Sequence, residues 1–113
     1  MSKIKFDIYD VGGEIVKDNE TYVLKDNKLL KNLVLSSTFL KPSQSTRGHS
    51  HPGQEEVYYF VTGKGIMEVG EEKFEVKPND VILIPDGAFH RVHNKSDYEE
   101  LYFVCVFDGN RNH

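Results

Sequence analysis

The chain has one cysteine, no tryptophan and four prolines among its 113 residues. The lone Cys105 cannot form an internal disulfide, and its place in an apolar run marks it as a buried structural thiol. Basic residues are outnumbered by acidic ones. Fourteen Lys and Arg against eighteen Asp and Glu give a net charge of −4, with no basic patch of the kind nucleic-acid binding needs. The longest apolar run, Leu101 to Phe107, is far too short to cross a bilayer. The segment Met1 to Asp7 lacks the apolar stretch of a signal peptide. These absences set the expectation of one soluble domain over residues 1–113, in a reducing, cytoplasmic compartment, bound to neither nucleic acid nor membrane.

What the sequence does have is short β-prone runs bounded by Gly, Pro, Asn and Asp. Phe6–Tyr9 and Tyr22–Leu24 read as early strands, and Asp26-Asn27 as a turn. Leu33, Leu35, Ser37 and Phe39 alternate like one face of a half-buried strand, and Lys28 to Lys31 admits a short helical turn. Val57–Val61 is strongly β-prone. Ile66–Val69 and Lys73–Val76 flank Gly70-Glu71-Glu72 as a hairpin. Val81–Ile84 reads as a buried strand, His90–His93 opens another, Leu101–Phe107 is the last core strand, and Asp108–His113 reads as a frayed tail. Many short strands with regular turns predict an all-β barrel or sandwich.

Chemistry concentrates in two segments. His49-Ser50-His51 places two imidazoles on one strand face, because residues i and i+2 point the same way. Glu56 follows, and if it faces inward then Tyr58 and Phe60 do too. His90 comes from a second segment, Pro85 to His90. Three imidazoles and a carboxylate make a good shell for a divalent transition metal such as Fe, Mn, Zn or Ni, with positions left for water or substrate. Glu55 competes with Glu56 on sequence alone. His93 falls on the opposite strand face from His90 and reads as a surface or ligand-supporting residue, and His113 as a terminal residue without a role. Lys41 and Arg47 lie near the expected mouth of the site and read as solvated loop residues, with contact to an anionic substrate as the alternative.

Both segments resemble the cupin superfamily. His49-x-His51, four residues, Glu56, six residues and Gly63 fit its first motif, with Ser43 where the leading glycine would stand. Pro85, Gly87, His90 and Asn94 fit its second, with Asn79 in place of the first glycine. The motifs cover about residues 43–63 and 79–94. The resemblance implies a single antiparallel β-barrel or jelly roll, a metal held by His49, His51, Glu56 and His90 inside one mouth, and a homodimer paired through exposed N-terminal strands. Thr46-Arg47-Gly48-His49-Ser50-His51, Glu56-Val57-Tyr58 and Gly63-Lys64-Gly65 are further similar to the archaeal cupin-type phosphoglucose isomerases. That resemblance implies Glu56 as a proton shuttle, and Thr46, Gly48 and Tyr58 as contacts for the sugar phosphate.

Three functions follow as expectations. One is a metal-dependent isomerase or epimerase acting on a sugar or sugar phosphate through an enediolate or a hydride shift, with Glu56 or a metal-bound hydroxide moving the proton and Tyr58 orienting the substrate. Another is a metal-dependent oxygenase or lyase acting on a small organic acid, in a pocket lined by Phe60 and Phe39. The third is a ligand-binding module without catalysis. In each, the partner is a small molecule.

Overall fold

The computed structural model describes residues 3–109, which contain nine strands and no helix. They are β1 (Glu14–Asp18), β2 (Tyr22–Asn27), β3 (Leu33–Leu40), β4 (Glu56–Thr62), β5 (Gly65–Val69), β6 (Glu72–Val76), β7 (Val81–Ile84), β8 (His90–Asn94) and β9 (Leu101–Asp108). Six form an antiparallel sheet in the order β1-β2-β3-β9-β4-β7, and three form a second sheet in the order β6-β5-β8. The all-β expectation holds, and the arrangement fits a jelly roll. The barrel does not close, because no strand ladder joins the two sheets among the described residues. Isolated bridges Ser45–His93 and His49–His90 fasten the loop before β4 onto β8.

Strand parity places the core. Glu56, Tyr58 and Phe60 of β4 are buried, while Val57 is 42% exposed. Leu40, Phe60, Met67, Val92, Leu101 and Phe103 fill the space between the sheets. Both faces of β9 are covered, since Tyr102 and Val104 form a second cluster with Val11 behind the six-stranded sheet. Tyr9 stacks on Tyr102 at 5.3 Å, and the Tyr102 hydroxyl donates to the Ile8 carbonyl at 2.5 Å. Burial raises the Tyr102 hydroxyl above its usual pKa.

Several local expectations change. Phe6–Tyr9 is a turn and not a strand, because the Asp7 carboxylate caps the Tyr9 N–H at 2.8 Å. Asp26 and Asn27 end β2 instead of turning, and residues 28–31 form an exposed loop without a helical turn. β7 is an edge strand and not a buried one. Among the described residues it pairs only with β4, and by strand parity Val81 and Leu83 face outward at 57% and 70% exposure while Ile84 is buried at 3%. Asp108 belongs to β9 and is not part of a frayed tail, Gly109 N–H donates to the Asn32 carbonyl at 2.7 Å, and residues 110–113, His113 included, lie outside the described residues.

The two motif positions that lack glycine are informative. Ser43 and Asn79 are the non-glycine residues with positive φ among those described, at 63° and 76°. Each holds the left-handed turn with its side chain. Ser43 donates to Asp97 at 2.8 Å, and Asn79 accepts from the Tyr59 hydroxyl at 2.6 Å. Asn94 closes the second motif. Its buried amide lies within 3.2 Å of the Leu40, Lys41 and Glu99 carbonyls, tying β8 to the end of β3.

Candidate metal centre

His49 and His90 face each other across a two-way backbone pair, His49 N–H to the His90 carbonyl at 3.2 Å and His90 N–H to the His49 carbonyl at 3.0 Å. This pairing brings the two motifs together. His51 lies on the same side as His49, with ring centroids 4.2 Å apart. Glu56 enters from β4, and Glu55, its rival on sequence, is exposed. The donor atoms of His49, His51, Glu56 and His90 lie within 4.8 Å of one another, and all but half-buried His49 are buried. Glu56 Oε1 is 3.3 Å from His90 Nε2 and 3.8 Å from His51 Nε2.

One atom tests whether a cation fits. His90 Nδ1 lies 3.0 Å from the Ala88 carbonyl, which can only accept, so Nδ1 carries the proton. In the neutral ring Nε2 then presents a bare lone pair. It is the buried side-chain nitrogen or oxygen without a hydrogen-bond partner among the described residues, and it faces a carboxylate oxygen. Two lone pairs at that distance repel unless a cation lies between them. A backbone carbonyl fixing the far nitrogen is a common support for a metal-ligating histidine. The four residues suit a divalent ion in both chemistry and orientation.

A cavity of about 210 Å³ opens beside these ligands. His49, Glu56 and His90 line it, together with Tyr58, Thr46, Gly48 and Arg47 from the expected set. Tyr58 is wedged in place, stacked on Phe103 at 5.3 Å and edge-on to His90 at 5.8 Å. Thr46 and Gly48 also have structural work. The Thr46 hydroxyl accepts from Val92 N–H at 3.0 Å, and its carbonyl accepts from Arg91 Nε at 2.8 Å. Gly48 has φ +83°, and a Cβ there would meet the Phe89 ring at 2.6 Å. A side chain at 48 is therefore excluded on two counts.

Some expected residues are elsewhere. Phe39 lies behind the six-stranded sheet, stacked on Tyr102 at 4.1 Å, because Thr38 and Leu40 take the inward positions of β3. Phe60 is fully buried in the core. Lys41 is held by the Asn19 carbonyl at 2.5 Å and does not line the cavity. His93 is on the outer face of β8, with Nε2 2.5 Å from Glu68 and Nδ1 2.7 Å from the Ser45 hydroxyl. The hydrogen bond from His93 holds the Glu68 carboxyl below its ordinary pKa. Lys17, Leu24 and Cys105 also line the cavity, and no spacing pattern in the sequence marks them.

The Cupin domain family model matches residues 38–107, more than half of the chain. The chain belongs to the cupin family. It is 32% identical over 97 residues to an uncharacterised protein of Methanocaldococcus jannaschii, covering 76% of this cupin and 78% of that protein. It is 30% identical to an oxalate-binding protein of Thermotoga maritima, covering 59% of this chain and 54% of the relative. A glucose-6-phosphate isomerase of Thermococcus kodakarensis is 26% identical over 88% of this chain, which spans 61% of the isomerase. Among solved structures, an uncharacterised Klebsiella pneumoniae protein with a double-stranded β-helix domain superposes with a TM-score of 0.78 at 19% identity, covering 96% of this chain and 90% of that one. That likeness supports the jelly-roll fold.

Proposed function

We propose that this cupin is a small metal-dependent enzyme whose substrate is a small, oxygen-rich molecule bound beside His49, His51, Glu56 and His90. The observation that carries this reading is the bare, buried Nε2 of His90 facing Glu56 beside a cavity wide enough for a few heavy atoms. A bound divalent ion would supply Lewis-acid polarisation of a carbonyl or hydroxyl oxygen. Isomerisation or epimerisation of a sugar or sugar phosphate is the first reaction class. In isomerisation, Glu56 takes a proton from the carbon beside the carbonyl and delivers it to the former carbonyl carbon, while the hydroxyl proton passes to the former carbonyl oxygen. In epimerisation the proton returns to the same carbon from the opposite face, and in both Tyr58 orients the substrate. Thr46 and Gly48 shape the wall against which the substrate lies. The similarity to the Thermococcus kodakarensis isomerase supports this class.

A metal-dependent lyase or oxygenase acting on a short organic acid is a second reading. The cavity favours it, since about 210 Å³ is below the roughly 300–1,000 Å³ of ordinary ligand pockets. The similarity to the Thermotoga maritima oxalate-binding protein agrees with a short acid as ligand.

Incubation in deuterated water separates the two readings. Isomerase chemistry interconverts a short aldose phosphate and its ketose without oxygen uptake, and exchanges the α-proton with solvent where the proton passes through Glu56. Acid-cleaving chemistry releases carbon dioxide or consumes oxygen, and leaves the sugar phosphate unlabelled. Neither signal from the metal-loaded protein would leave a binding module.

A cytoplasmic setting, where Cys105 stays reduced, belongs to the same proposal, as does a homodimer. β1 is the open edge of its sheet, with Ile15 and Val16 at 60% and 40% exposure. Sedimentation at twice the 13.0 kDa chain mass is expected; a monomer at micromolar concentration would contradict pairing.

A further inference from the structure

β1 carries an irregularity with a chemical consequence. Ile15 pairs with Lys25, and the next paired residue is Lys17, opposite Leu24. Val16 is the extra residue of a β-bulge. In an unbulged strand Val16 would pair with Leu24 and point inward, and Lys17 would point out. The bulge exchanges them. Val16 is turned to solvent at 40% exposure, and Lys17 becomes the half-buried residue of an otherwise exposed strand.

The register shows where Lys17 goes. It joins the row Leu24, Thr38, Phe103 and Phe60, each of which is buried on the inner face. From there it lines the metal-centre cavity. No side-chain hydrogen bond or ion pair engages Lys17 among the described residues. Arg47 stands at the same cavity, exposed, and Glu56 is the only acid among its lining residues. Turning a valine out and a lysine in sacrifices apolar burial, a local inconsistency typical of functional positions.

We infer that Lys17 is an anion-binding residue of this cavity. The substrate therefore carries a second anionic group, carboxylate or phosphate, beyond the oxygens that meet the metal. This rests on the metal reading above and narrows its substrate class by excluding neutral sugars and simple monoanions. Three histidines and Glu56 around a divalent ion leave a net charge of +1, so Lys17 and Arg47 add to a positive field that a dianion relieves.

The test uses the metal-loaded protein and two matched ligand pairs, malate against lactate and 3-phosphoglycerate against glycerate. Within each pair the α-hydroxy acid end is shared and only one member has the distal anion. The wild type is expected to prefer at least one dianion by about tenfold or more, as a charged hydrogen bond supplies. The pair that shows the preference identifies carboxylate or phosphate. Lys17→Met should erase the preference with metal stoichiometry and lactate affinity kept, and Lys17→Arg should restore part of it. A wild type without the preference, or Lys17→Met that keeps it, would overturn the inference and leave the metal reading standing. A wild type that takes up no metal would overturn both.

Discussion

His90 is held from two sides. Ala88 fixes the proton on Nδ1, and the strand turns Nε2 toward Glu56, leaving a buried acceptor opposite a carboxylate. Three residues on, His93 is held by Ser45 and Glu68 on the far face of the same strand. The contact braces the loop that carries His49 against the three-stranded sheet. Its pH dependence follows from Glu68, whose carboxyl pKa is lowered from 4.5 by the His93 hydrogen bond. A depressed folded pKa lends stability that is present above the unfolded value and is lost as pH falls through the folded one. Thermal melts of Glu68→Gln should therefore show a loss relative to wild type at neutral pH that narrows below 4.5. A gap that is constant through that range would refute the linkage.

At the scale of elements, β4 and β7 show how parity divides one strand between two environments. Leu83 and Ile84 are neighbours, yet one is 70% exposed and the other 3%. Leu83→Lys should change stability by no more than about 0.5 kcal/mol, as exposed positions do. Ile84→Lys buries an unpaired charge in the core, and the cooperative melting transition should be lost. Similar effects from the two substitutions would contradict the register of β4 with β7. Alternation put Glu56, Tyr58 and Phe60 on one face, the motif spacing chose Glu56 over Glu55 as the inward residue, and the turn residues marked the β5–β6 hairpin. Alternation could not show which strands lie at an edge, since Val81–Ile84 is apolar throughout. Nor could it show that Tyr9 and Val11 cover the back of β9, because that depends on long-range packing.

For the molecule as a whole, the two histidine segments meet because β8 and the loop before β4 pair backbone to backbone. The four donors were legible in the sequence through the His-x-His spacing and the order of the two motifs, although His49 to His51 lies in a loop with one isolated bridge and not in the strand the sequence predicts. Lys17 was not, because a bulge is a property of the β1–β2 register and no residue in β1 announces it. Thr46 and Gly48, expected from the resemblance to touch a sugar phosphate, line the cavity, and the structure gives them packing and hydrogen-bonding work of their own.

The measurement that bears most directly on the metal centre is elemental analysis of untagged protein purified without chelator, run in parallel on His90→Ala and His93→Ala. The expected result is about one divalent transition ion per chain in the wild type, retained in His93→Ala and lost in His90→Ala. Full occupancy in His90→Ala, or no metal in the wild type even after reconstitution, would contradict the assignment of His49, His51, Glu56 and His90 as its ligands.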